Sequence, residues 1–382
     1  MASDEPPPSG SAGSRSTLRT AGLAVCCVVG LGTVIGLIKR SGHVPETLSL
    51  PPLGSAVDGA GETTAPQAAS WPKPRDGQIV LEHAGPWKAS KISAVGPLVI
   101  RGAAGVRPIV EVENDPLEVW GERVLVSGID FRRKGWGTSS SAGDEPKGSL
   151  LAVSAQLVQI QECRFEGPAE REQSGNLSAA VQWSLIDESP GAEARALVKN
   201  SAILGSLRGI EIPVAHGSVA VSHVLKSGSG ELLAVAEGRS ASAGPRTIHL
   251  RNTTIRGECP LLRLPAGVPT RWHVTADHTA FGIQSASLFE FTAERPPDGW
   301  EGLIEFEGRS TVVSLGSSLV GGRGPGGTFI AWPSESLRAD GLQYDDLQFA
   351  GEPSGPWGAH QLTGLTIPLP DETLPGIGPA PF

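Results

Sequence analysis

The chain of 382 residues is poor in the residues that announce a stapled fold or a redox centre. It carries four cysteines, one methionine and one tyrosine, and aromatics make up 5%. Cys26 and Cys27 lie in an apolar run, which leaves Cys163 and Cys259, about a hundred residues apart, as the pair a soluble domain could offer. A disulfide framework is thereby excluded. Basic residues are outnumbered too: 31 Lys and Arg against 40 Asp and Glu give a formal net charge of −9. Nucleic-acid binders need basic stripes that release counterions, so nucleic acid is excluded as a partner. No His-Arg-Asp or Asp-Phe-Gly kinase element occurs. His216, His223, His249, His273, His278 and His360 stand singly, without metal spacing.

Turn-formers are abundant instead. Fifty glycines and 32 prolines accompany 39% apolar residues, a mixture that calls for many short strands and many corners. The length exceeds what one compact core usually organises, so an elongated repeat structure is the natural expectation.

Five segments follow from composition. Residues 1–20 form a short polar N-terminal tail. Residues 21–38 are free of charge and proline and are bracketed by Arg15, Arg19, Lys39 and Arg40, which predicts a transmembrane helix. A cleaved signal peptide is the rival reading, but no small-x-small site follows the run. Two basic residues flank each end, so charge alone does not orient the span. The short polar tail and the exported character of the remainder point to a cytoplasmic N-terminus, with the main domain periplasmic or extracellular. Residues 39–74 read as a Pro/Gly/Ala-rich linker, 75–355 as a repeat domain and 356–382 as a Pro-rich C-terminal tail, extended against the last coil or loose.

A ten-residue frame recurs, starting at Val124, Val158, Ala196, Val219, Ile248, Val274, Val312 and Leu342. Its first residue is apolar throughout. The eighth is Phe131, Phe165, Ile203, Ile255, Phe281, Leu319 or Phe349, with Lys226 as the exception. The fifth is Gly128, Glu162, Asn200, His223, Asn252, His278, Gly316 or Asp346, suited to a bend. Another short apolar segment precedes each frame, such as Leu150-Leu151-Ala152-Val153 or Leu288-Phe289-Glu290-Phe291. Three strands per repeat predict an all-β fold: a right-handed, single-stranded parallel β-helix of about ten coils.

On these residues, with Gly77 to Leu81, Gly96 to Gly102 and Arg107 to Val110 as a first coil, the chain resembles the pectin-lyase-like parallel β-helix superfamily. It is also similar to the membrane-anchored β-helix proteins of the planctomycete kind. The resemblance covers about residues 75–355 and carries fold rather than chemistry.

Polysaccharide-processing relatives act on an outward β-face where carboxylates gather. Stacking predicts Asp130 beside Arg164, Arg132 beside Glu166 and Arg251 beside Asp277. The quartet Asp130, Arg132, Arg164 and Glu166 is charge-balanced and reads as structural pairs, with catalysis the lesser reading. Asp345 and Asp346 are sequence neighbours read as solvated bend residues, with a catalytic acid pair the lesser reading. Trp136, in the long loop from Arg133 to Lys147, could stack on a sugar ring. Cys163 occupies an inward position shared with Ile129, Ser201, Val224 and Thr253. No cofactor is called for: a Ca2+ site needs an excess of carboxylate that the quartet lacks. The expected function is a non-catalytic surface module that binds polysaccharide or a cell-envelope protein. The alternatives are a divergent polysaccharide lyase or hydrolase, which needs several carboxylates on one outward face, and an extracytoplasmic sensor module.

Overall fold

The computed structural model describes residues 70–382 apart from 135–147, 169–176, 188, 190–193, 214–216, 237–245, 268–269, 325–326, 336, 370–372 and 381–382. Residues 21–38 and Trp136 therefore lie outside the described residues, and no described helix is long and apolar enough to cross a membrane. Contacts divide the chain after Thr63, and the unit from Thr64 to Phe382 is the one described below.

That unit is all-β, and its strands recur in threes. Pro97–Gly102, Ile109–Val112 and Leu117–Trp120 follow one another, and the next strand, Arg123–Ser127, lies parallel on the first of them. Asp130–Arg133 then returns to the second and Ser149–Ser154 to the third. Continued from Gln78 to Arg323, this succession builds three parallel stacks. The first and second merge into a 16-stranded sheet, because strands such as Arg195–Ser206 and Ser218–Ser229 run unbroken through the bend. The third is a separate 10-stranded sheet. The pairing is compatible with a β-helix.

Period-two alternation explains the strands. In the first sheet Leu98, Val124, Val158, Ala196, Val219, Ile248, Val274 and Phe306 stand in one register column, and all are buried. Each larger member contributes about 1.5–3 kcal/mol by leaving water, and none could do so without the windings above and below. Phe131 and Phe165 stack at 4.9 Å in the second sheet, where the same logic is carried by aromatic faces.

The corner between first and second sheets needs a left-handed residue. Gly128, Glu162, Asn200, His223, Asn252 and His278 all have φ between 46° and 68°, as their frame position predicts. A non-glycine residue there costs about 1–2 kcal/mol, so recurrence at one position means the corner geometry demands it. The last two frames are displaced, however. Phe306, not Val312, aligns with Val274, which makes Ser310 (φ 46°) the bend of that winding. The winding after it aligns Ala339 with Phe306, and a register shift between Glu307 and Thr311 puts the bend at Gly341. Gly316 belongs to the turn after the second sheet, and Asp346 lies just beyond the strand Arg338–Asp345. At the next corner Gly205, Gly228 and Gly257 form a column, and a Cβ on Gly228 would sit 2.4 Å from the Gly205 carbonyl oxygen.

Both ends of the stack are dressed. Trp71 packs on Trp87 at 5.9 Å and donates from Nε1 to the Lys88 carbonyl. At the other end the third sheet finishes with Phe329–Ala331, which pairs antiparallel to Ser318–Arg323. The C-terminal segment then runs back over the outward face of the second sheet, across several windings. Leu362 and Leu369 cover Ala280 and Val312, and Ile377 covers Ala202 and Leu225. Hydrogen bonds from Ile377 N to Thr254 Oγ1 (3.1 Å) and from Arg256 Nη1 to Gly351 O (2.8 Å) fix its path.

Candidate functional site

The predicted quartet is brought together, but its partners are different. Arg164 is in register with Asp130, and Glu166 with Arg132. Asp130 nevertheless accepts from Arg107 Nε (2.7 Å), Arg132 donates to Glu111 (2.5 Å), and Arg164 pairs with Glu166 in its own strand (2.7 Å). With Arg107 and Glu111 added, the ladder remains balanced, three cations to three anions. Arg251 and Asp277 do meet as expected, at 3.7 Å.

Asp345 is not solvated at a bend: it is buried, and it accepts from the backbone N–H groups of Asp346 (2.7 Å) and Ile367 (2.8 Å). Burial alone would raise its carboxyl, but these bonds and those from Thr366 outweigh it and hold the group below its ordinary value. It anchors the returning segment. Cys163, Ile129, Ser201, Val224 and Thr253 share an inward column, all fully buried.

A different outward face carries the densest chemistry. On the first sheet His273, Glu305 and Arg338 are successive register neighbours, and beside them run His249, Thr275, Glu307 and Asp340. His273 Nδ1 lies 3.4 Å from Glu305 Oε2, Arg338 grips the other oxygen of Glu305, and His249 Nδ1 is 2.7 Å from Thr275 Oγ1. The ligand atoms of His273, Glu305 and Glu307 lie within 4.8 Å of one another, the one such donor group among the described residues. One imidazole and two carboxylates suit a divalent metal such as Zn2+, although Arg338 competes for Glu305. The displaced frame concealed this group, because with Val312 as a start Glu305 never falls beside His273.

At the first-sheet edge several windings, including those of His249 and His273, form a corner pocket. Trp183, Ile212, Val219, Arg246, Thr247 and Trp272 line an enclosed space of about 10 Å³. Arg246 is in register with Trp272 and 4% exposed, and its guanidinium lies 5.0 Å from that ring's centre. Nη1 donates to the Pro213 carbonyl at 2.6 Å, whereas Nε and Nη2 have no partner. Burial pulls the guanidinium down to about 10, so it stays charged at neutral pH. Thr247 joins pocket and face, since it pairs with His273. Arg246 opens its strand two residues ahead of the frame start Ile248, outside the repeating frame, and only the fold turns it inward.

A buried charge chain lies on the third sheet. Arg263 contacts Glu231 and Glu290 at 2.9 Å each, and Arg323 reaches Glu290 at 2.8 Å. Burial alone would lower Arg263, but the two carboxylates outweigh it and hold it above its usual value. The Glu231 contact is close but poorly angled, so neither of its oxygens accepts a hydrogen bond.

A scan against protein-family models finds no match to this chain, and neither does a search of curated proteins or of solved structures.

Proposed function

We propose that the chain is a right-handed parallel β-helix of the pectin-lyase-like kind that binds polysaccharide without turning it over. Right-handedness is supported by the strong bias of strand-to-parallel-strand crossovers. The apolar run 21–38 supports an anchor in a membrane, N-terminus cytoplasmic and windings periplasmic or extracellular. The observation that carries the binding reading is the Arg246 pocket: two unpartnered guanidinium nitrogens, held over the buried Trp272 indole, are the donors that a sugar carboxylate requires. The enclosed space, about 10 Å³, admits one water-sized group such as a single carboxylate oxygen, and a net charge of −9 repels a dense polyanion. The fitting ligand is therefore a sparsely acidic polysaccharide. A glycan array tests this: acidic glycans are retained by the natural chain and lost, ten-fold or more, by Arg246→Ala and Trp272→Ala. Retention unchanged in both variants overturns it.

One observation favours the second reading, a divergent lyase or hydrolase. Glu305, Glu307, Asp340 and Asp277 bring several carboxylates to one outward face with His273. Depolymerisation of a uronate polysaccharide that disappears in Glu305→Gln and Glu307→Gln would establish it over the binding reading.

A further inference from the structure

Lys226 occupies a place that other windings give to a hydrocarbon. Its register column in the second sheet reads Phe131, Phe165, Ile203, Lys226, Ile255, Phe281. Like them it is fully buried, at 0% exposure. An amine in such a site is among the costliest substitutions a core can hold, so its partners must explain it. There are two. Nζ donates to the Ser229 carbonyl at 2.9 Å and to Cys259 Sγ at 3.3 Å, and Sγ itself lies 3.2 Å from the Gly228 carbonyl.

Cys163 supplies an internal comparison. Both thiols are fully buried, and burial raises both above their ordinary value, Cys163 to about 12, so neither is disposed to react as a free thiolate. The Cys163 sulfur faces the carbonyls of Val126 and Gln161. Cys259 alone of the two faces an amine. The glycine column at this corner, Gly205, Gly228 and Gly257, leaves no space for a Cβ and holds the backbone around the pair in one arrangement.

We propose that Lys226 and Cys259 form an oxygen-bridged covalent link, Nζ–O–Sγ, when the protein meets dioxygen. The balance is an amine plus a thiol plus O2 giving the bridged product and one water. One N–H bond and the S–H bond break, N–O and O–S bonds form, nitrogen and sulfur are oxidised, and one oxygen atom leaves as water carrying two of the hydrogens. An interposed oxygen spans more of the 3.3 Å gap than a direct S–N bond would, so this product asks for less movement of two packed windings. The link joins residues 33 positions apart and staples adjacent windings. It makes the corner a redox-sensitive modification site.

Intact-mass and peptide-mapping spectrometry of the full chain, held under air and under a thiol reductant, tests the link. The expected result is a mass gain of one oxygen less two hydrogens in air, mapped to a peptide pair containing Lys226 and Cys259 and reversed by dithiothreitol. It is retained in Cys163→Ser and absent in Cys259→Ser and in Lys226→Met. Because Lys226→Met could perturb the core, the natural chain decides the matter by itself. Cys259 recovered as a free thiol after prolonged aeration, or oxidised to sulfinic acid with Lys226 unlinked, overturns the proposal.

Discussion

Asp130 and Leu225 stand at the same frame position three windings apart, on the outward face of the same sheet. The column they share reads Asp130, Arg164, Ala202, Leu225, Thr254, Ala280, Val312. Its first two members are charged and partly exposed, paired with Arg107 and Glu166. The remainder are small or apolar and lie beneath the returning segment, with Leu225 at 1% exposure under Ile377. The backbone is the same in both regions. What makes an outward position surface or core on such a stack is the piece of chain laid over it.

Four experiments would break or sharpen that contrast. Leu225→Asp should have the largest effect, about 3 kcal/mol or more, because it buries an unpaired charge beneath Ile377. A thermal melt, together with protease sensitivity of residues after 347, reads it. Ile377→Ala comes next, at about 2–4 kcal/mol if the segment stays docked, and the same protease assay should show the C-terminal segment opening before the stack does. Acid is third. Burial holds the His360 imidazole below its ordinary value, and the bonds to Asp345 hold that carboxyl low. Both groups therefore contribute stability that is present above their unfolded pKa values and lost as pH falls through the folded ones. Docking of the segment should loosen first somewhere below pH 6.5 and further below pH 3.8, the ordinary values of the two groups. Proteolysis at stepped pH checks the order. Arg164→Ala should be smallest, within about 1 kcal/mol, since its pair with Glu166 is exposed; a loss as large as that at Leu225 would erase the contrast.

Much of this arrangement was legible in the sequence. Six frame starts, from Val124 to Val274, coincide with the register, because alternation of inward Val and Ile with outward polar residues leaves a strand no other way to bury itself. The later frames slid because Val312, Val313 and Leu342 imitate a strand start, and no local rule separates a seventh-position valine from a first-position one. That slip hid Glu305 and Glu307 from His273. Lys226 was visible as a break in its column, though not what it would touch. The covering of the second sheet also left a trace, in the change from Asp130 and Arg164 to Ala202 and Leu225. Which segment lies on top could not be read, since the proline-rich stretch after 356 has no period of its own and takes its path from the surface it meets.

The antiparallel strand Phe329–Ala331 has a consequence for the molecule among its own copies. Stacked windings leave at their last turn a row of unpaired amide donors and acceptors, and another copy's first strand could template itself there and extend the pile without limit. Parallel and antiparallel ladders set their hydrogen bonds at different slants and spacings. By reversing direction for three residues, the third sheet closes on an edge of the other phase, whereas the first sheet ends on the parallel strand Arg338–Asp345, so the device guards one of the stack's edges and not the other.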